Sequence, residues 1–288
     1  MATDPQSPAI TSTANKRIVE ARKLSQRKYR QAGARFLVEG LQLLHMALDA
    51  GATPHEVFFC PEQFAGPEAE ALIARFRRIG GELLPVAPNV MAALSERDEP
   101  QGIVATFQMP AASLADLKLT RRELVLVLDR LQDPGNLGTL IRTADAVGAA
   151  AIILIEPCVD PFDPKTLRGS MGSLFNVPVV STKAVAGLFS WLIAQGLRPV
   201  GADPHAGELW GEGLWRGGVA LVLGNEARGL SSDVAALVKQ NARLPIVGKA
   251  ESLNVAIAGG VLMYAWLREN LHTRNDELRI TNDQSPDG

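Results

Sequence analysis

The feature that most constrains this chain is a series of short, almost wholly apolar segments between residues 121 and 271. Leu124–Leu128, Ala151–Ile155, Val177–Val180, Arg198–Ala202, Val219–Leu223 and Ala242–Ile246 read as strands, with helical stretches between most of them. A strand with one wet face alternates polar and apolar residues. Continuous apolar strands fit a sheet that helices cover on both faces. The expected fold class is therefore α/β, with a mostly parallel, doubly wound sheet over residues 121–271. Ligands of such sheets sit beyond the carboxyl ends of the strands, so candidate chemistry is sought in the loops there.

Three loops qualify. The first, DRLQDPGN, follows Leu124–Leu128 and opens a helix near Leu137–Val147 whose apolar face is Leu137, Leu140, Ile141, Ala144 and Val147. Arg142 falls on another face, with Gly138 and Asp145. It reads either as an exposed pair with Asp145, worth little, or as a fork for phosphate beside a helix N-terminus, which itself attracts anions. Asn136 reads as an N-cap or as a site residue. The second loop, GNEARGLS, follows Val219–Leu223. Gly224 permits close approach to the backbone, and Glu226 reads as a cation ligand, a hydroxyl acceptor or a solvated acid. Ser231 or Ser232 looks like the cap of the next helix. The third loop, VGKAES, leads into a helix from about Leu253, with Ser252 as candidate N-cap and Asn254 as either an end residue or a ligand amide. That helix, LNVAIAGGVLMYAW, is apolar on nearly every side and must be buried, in a core or against a second subunit. Gly259 and Gly260 within it suggest another segment packed tightly there.

The remainder of the chain divides simply. Residues 1–14 read as a disordered tail and 272–288 as a polar, frayed one. Residues 15–108 form a small α/β unit, with helices at Lys16–Tyr29, Phe36–Ala50 and Glu68–Ile79 and short apolar runs at Val57–Cys60, Leu83–Ala87 and Ile103–Phe107. Residues 109–120 read as a linker. Net charge is −2, yet residues 15–35 hold eight basic groups (Lys16, Arg17, Arg22, Lys23, Arg27, Lys28, Arg30 and Arg35) against one acid, Glu20. Such a run reads as a solvated helix face or as contacts to nucleic-acid phosphates.

Composition excludes several classes. Two widely spaced cysteines disfavour a disulfide scaffold or CxxC site, and His45, His55, His205 and His272 form no metal-ligand pattern. The longest apolar stretch, Val255–Leu267, is too short to span a bilayer. No GxGxxG, GxxxxGK[ST] or GxSxG signature is present. A cytoplasmic protein is the expectation.

Taken in order, LDRLQDPGNLGTLIRTADAVGA, LVLGNEARGLS and LPIVGKAESLNVAIAGGVLMYAW resemble the three motifs of the SpoU (TrmH-type) branch of the SPOUT RNA methyltransferases. RGSMGSLFNVPV resembles the same family. NKRIVEARKLSQRKYRQAGARFLVEG and LSERDEPQGIVATF resemble the ribosomal-protein-like substrate-binding domain of many members. The resemblance covers roughly residues 15–270. It implies S-adenosylmethionine as methyl donor, a ribose 2′-hydroxyl in RNA as acceptor, a C-terminal trefoil knot and a homodimer. It implies catalytic roles for Arg142, Asn136, Glu226, Ser252 and Asn254, and a cofactor cradle of Leu223, Gly224, Asn225, Leu244, Ile246, Gly248 and Leu253. Ile246-Val247 departs from the methionine-containing pair common in the family. Ribosomal RNA is favoured over transfer RNA because of the separate N-terminal domain. A non-catalytic RNA-binding relative would have damaged motif loops, and a dehydrogenase would carry the glycine fingerprint.

Overall fold

The computed structural model describes residues 8–64, 66–205, 209–211 and 213–283. Two compact units divide the chain: Met1–Ala111 with Asp160–Asn176, and Ala112–Val159 with Val177–Gly288.

The first unit is built on a four-stranded sheet of β1 (Arg35–Glu39), β2 (Pro54–Phe59), β3 (Glu82–Pro85) and β4 (Ile103–Gln108), in the order β1-β4-β2-β3. β4 runs antiparallel to β1 and β2, and β3 parallel to β2. The single helix expected over Phe36–Ala50 is instead β1 followed by the helix Leu41–Asp49. Phe36 and Val38 alternate inward along β1, and Gly40, at φ 108°, makes the corner. The helix expected over Lys16–Tyr29 is also two, Lys16–Lys23 and Arg27–Gly33, and Pro88–Leu94 adds a helix that periodicity does not single out. Residues 1–7 of the expected N-terminal tail lie outside the described residues. Those after them are ordered: Ile10 N donates to Pro85 O at 2.8 Å and Ala87 N to Ile10 O at 3.0 Å, extending the sheet beside β3.

Asp160–Asn176 lies in the expected 121–271 domain by sequence but packs in this first unit. The physical reason is a buried ion pair and an aromatic cluster. Arg30, 1% exposed, sends Nε and Nη2 to Asp160 Oδ2 at 2.9 and 2.7 Å, and Nη1 to the carbonyls of Leu24 and Ser25. Phe162 and Phe175 lie 4.7 and 6.2 Å from Phe36.

The second unit is a six-stranded, wholly parallel sheet: β5 (Leu124–Asp129), β6 (Ala151–Ile155), β7 (Val179–Thr182), β8 (Arg198–Ala202), β9 (Val219–Leu223) and β10 (Gln240–Ala242). The order is β10-β8-β9-β5-β6-β7. Every residue of β5, β6 and β9 is buried, as two-sided cover requires. The strand expected at Ala242–Ile246 sits earlier, and Leu244–Ile246 is loop. The stretch expected as a linker is divided between the units: Met109 N bonds Ala34 O in the first, while Leu114 and Leu119 pack on the core of the second. The last helix runs Val255–Asp283, so the segment from 272, expected frayed, continues it; residues 284–288 lie outside the described residues.

Removing Asp160 strands the Arg30 guanidinium in the first unit's interior. Asp160→Ala is expected to cost about 3–5 kcal/mol, read as a lower urea midpoint for that unit. A loss within about 1 kcal/mol would contradict this role.

Candidate active site

The chain extends the sheet outward from β5 through β6 to β7, then crosses back to place β8 and β9 on β5's other side. The order therefore reverses between β5 and β9, and a crevice opens at their carboxyl ends. The first two candidate loops leave the sheet at this point.

Glu226 gathers the first loop. Its carboxylate accepts from Gln132 N at 3.3 Å, Asp133 N at 3.1 Å and Asn136 Nδ2 at 3.2 Å. Asn136 Oδ1 in turn accepts from Asn254 Nδ2 at 2.9 Å. One polar chain, Asn254 to Asn136 to Glu226, thus joins all three loops. The donor and acceptor ends of both amides follow from it: Asn136 must offer its nitrogen to the carboxylate and its oxygen to Asn254.

Two capping expectations change. The helix Pro134–Ala146 is capped by Asp133, whose side chain accepts Asn136 N at 2.8 Å, so Asn136 stands inside the first turn with its side chain turned to the site. Asn254 caps the last helix, its Oδ1 accepting Ala256 N at 2.9 Å and Ile257 N at 3.3 Å; Ser252 lies before it and does not cap. The amides ahead of the helix Pro134–Ala146, expected to receive phosphate, are bonded by the protein's own Glu226.

The second loop is a tight turn. Asn225 and Gly229 exchange backbone hydrogen bonds at 2.9 Å, and Asn225 Oδ1 accepts the amides of Ala227 and Arg228. A Cβ at Gly224 would stand 2.2 Å from the carbonyl carbon of Gly229, so only glycine lets the turn close. Beside it lies a cavity of about 520 Å³. Its walls include Leu223, Gly224, Asn225, Leu244, Ile246 and Leu253 from the expected cradle, with Glu226 and Ser252. Gly248, Asn254 and Arg142 are exposed and Asn136 is half-buried, and all four lie outside the lining. Arg142 is exposed on the helix Pro134–Ala146 and carries no ion pair among the described residues. Sequence reasoning misses Ala202, Asp203 and His205, which form a further wall at the end of β8. The signal is available: β8 reads as a parallel strand, and residues past its carboxyl end face the crevice.

The last helix packs closely because it carries glycine. A Cβ at Gly259 would lie 2.6 Å from Leu140 Cδ2 and from Leu223 Cδ1. The expected all-round burial is incomplete: Ile257, Tyr264 and Leu271, seven residues apart, are 58%, 52% and 43% exposed.

The basic stretch of the first unit is less uniform than its sequence suggests. Arg30 is buried and fully engaged, which removes it from any RNA-contacting set. Arg17 pairs with Glu82 at 2.7 Å, Lys23 with Glu20 at 2.8 Å and Arg35 with Glu56 at 3.6 Å. The Lys23 ammonium, hydrogen-bonded to it, holds the Glu20 carboxyl below its ordinary range. Arg27 is half-buried. Lys16, Arg22 and Lys28 are exposed, without an ion pair among the described residues. Lys28 Nζ lies 4.7 Å from the ring centre of Tyr29. Among the described residues no cluster of His, Cys, Asp and Glu could hold a metal, and no helix is long and apolar enough to cross a membrane.

Residues 123–264 match the SpoU rRNA Methylase family and residues 15–105 the MRM3-like substrate binding domain. The chain is 34% identical to the 23S rRNA (guanosine(2553)-2′-O)-methyltransferase RlmP of Bacillus subtilis, over 88% of this chain and 97% of that protein. Its fold is similar to the AdoMet-bound rRNA methyltransferase of Sinorhizobium meliloti, with a TM-score of 0.81 and 34% identity over 91% and 97% of the two chains. It is also similar to the SpoU methyltransferase AviRb of Streptomyces viridochromogenes in complex with AdoMet, with a TM-score of 0.83 and 29% identity over 89% and 98%. The protein is a member of the SpoU rRNA methylase family.

Gly224→Ala forces the turn apart. It is expected to destabilise the protein by about 1–3 kcal/mol through overpacking, measured as a fall in thermal midpoint. An unchanged midpoint would show that the close approach of Gly224 to Gly229 is not a constraint.

Proposed function

We propose that this protein transfers the methyl group of S-adenosylmethionine to a ribose 2′-hydroxyl of ribosomal RNA, acting as a cytoplasmic homodimer with a knotted C-terminal unit. The observation that carries the reading is the convergence of three loops on one hydrogen-bonded chain, Glu226–Asn136–Asn254, beside a cavity large enough for a nucleoside-sized ligand. The cavity residues fit the donor. Leu223, Leu244, Ile246, Leu253 and Leu262 offer apolar walls for a base, and the bare backbone of Gly224 offers close approach. When bound, S-adenosylmethionine supplies a methyl carbon made electrophilic by its sulfonium.

The protein's own part is positioning, because a ribose hydroxyl is a poor nucleophile and in-line geometry contributes much of the rate. Glu226 holds Asn136, and Asn136 holds Asn254, so two amides present fixed donors to a sugar at the cavity mouth. Ser252, exposed on the wall, orients the ribose or passes on its proton. Arg142 is the cation of the first motif that has no ion pair among the described residues. Since Glu226 already takes the neighbouring amides, the phosphate beside the target sugar falls to this guanidinium, which binds it as a fork. Arginine hardly deprotonates, so its role is to place the nucleotide and polarise the hydroxyl. The apolar stripe Ile257, Tyr264 and Leu271 supports the dimer, since large exposed apolar patches mark association surfaces.

RNA capture belongs to the first unit. Lys16, Arg22 and Lys28 have charge to spare for phosphates, whereas Arg17, Lys23 and Arg35 first have to leave carboxylates.

Arg142→Ala is expected to lower single-turnover methylation of the cognate RNA on the order of 10²–10³-fold, with S-adenosylmethionine affinity retained by calorimetry. Near-normal turnover would overturn the assignment. Reversing Lys16, Arg22 and Lys28 is expected to flatten the salt dependence of RNA binding by roughly 0.7–0.9 in log–log slope for each phosphate no longer neutralised, and by more than reversing the carboxylate-paired Arg17, Lys23 and Arg35 does. The opposite ranking would place the RNA elsewhere.

A further inference from the structure

The cavity wall and the Glu226 carboxylate are carried by the same loop, Gly224–Ser231, and their placement depends on what ties that loop to the sheet. Two ties reach the end of β5. Asn225 Nδ2 donates to Arg130 O at 3.0 Å. Asp129, the last residue of β5 and 0% exposed, accepts both Ser231 N at 2.6 Å and Ser231 Oγ at 2.7 Å on the single oxygen Oδ2. Its other oxygen, Oδ1, is buried without a hydrogen-bond partner among the described residues. Arg130 Nε lies 3.6 Å from that oxygen and is likewise buried and unbonded, while the Arg130 terminal nitrogen pairs with Asp233 at 2.9 Å.

This is a costly way to fill a core position. A buried carboxylate loses its hydration, and half of the bonding capacity of this one is unused. An apolar side chain of similar size would fill the volume without that penalty. What it would not supply is a fixed acceptor for both donors of Ser231, the residue that ends the turn and begins the helix Ser232–Ala235. Asp129 is not part of the cavity lining. Its hydrogen bonds to the loop are those to Ser231.

We infer that Asp129 is a positioning residue for methyl transfer: by holding Ser231 it sets the seat of the Gly224–Ser231 loop, and so both the donor cavity and Glu226. The inference rests on the reading that this cavity takes S-adenosylmethionine. The basic residues that capture RNA lie in the first unit, outside these contacts, so the affinity for RNA is expected to change little.

The test is steady-state kinetics of the full-length enzyme with S-adenosylmethionine and RNA varied in turn. Asp129→Ala is expected to raise KM for S-adenosylmethionine about tenfold and lower kcat by a similar factor, with KM for RNA within twofold. Misfolding alone would reduce the active fraction, and hence kcat, without moving KM for the donor. Asp129→Asn keeps an oxygen for both Ser231 donors and is expected to restore KM to within threefold. Ser231→Ala, which removes only the hydroxyl, is expected to raise KM threefold or more and to add less in the Asp129→Ala background than it does alone. If Asp129→Ala does not fold, Ser231→Ala carries the test, with rescue by Ser231→Thr. An unchanged donor KM in Ser231→Ala, or fully additive effects of the two alanines, overturns the inference. A wild-type protein that fails to bind S-adenosylmethionine would overturn the cavity assignment instead. Wild type and variants binding it equally would overturn only the role of Asp129.

Discussion

The site depends on one carboxylate. Glu226 draws two backbone amides and the Asn136 side chain of the first loop onto itself, and Asn136 reaches Asn254, 118 residues further along the chain. Charge-assisted hydrogen bonds are roughly twice as strong as neutral ones. A partly exposed cleft has little apolar packing to hold its loops, and a charged acceptor with several donors supplies the order instead. The same bonds fix which end of the Asn136 amide faces Glu226 and which faces Asn254.

Beneath this chain, the sheet supplies the geometry and glycine permits the closeness. The fully buried strands β5 and β9 bring two loop origins side by side, although 95 residues separate Leu128 from Leu223. Gly224 lets its strand end touch the turn at Gly229, and Gly259 lets the last helix lie on Leu140 and Leu223. That helix begins at Val255 with Asn254 as its cap. Capping and the bridge to the first loop thus share one side chain: Oδ1 serves the helix, and Nδ2 serves Asn136.

Much of this is legible in the sequence. Continuous apolar strands announce a two-sided parallel sheet, and the loops at strand ends announce where to look. Most of the expected cradle residues line one cavity, because residues at the carboxyl ends of neighbouring strands have few other places to go. The larger misreadings share a cause: local pattern does not reveal distant partners. Phe36–Glu39 has apolar residues that suit a helix or a strand, and pairing with β4 decides for the strand. Arg30 reads as surface charge until Asp160, 130 residues away, buries it. Asn136 reads as a cap until Asp133, three residues earlier, takes that role. Gly248 belongs to the third motif but lies outside the cavity. Asp129 stands at the end of an apolar strand with nothing in its neighbourhood to announce Ser231 as a partner.

The central claim is that the donor's reactive end meets the Glu226–Asn136–Asn254 chain at the mouth of this cavity. A crystal structure of the protein with S-adenosylmethionine tests it most directly. The account predicts the donor between the Gly224–Gly229 turn and residues 244–253, with its methyl carbon directed to the end lined by Glu226 and Ser252. A donor bound there with its methyl directed toward Asp203 and His205, or bound outside the cavity, would contradict it.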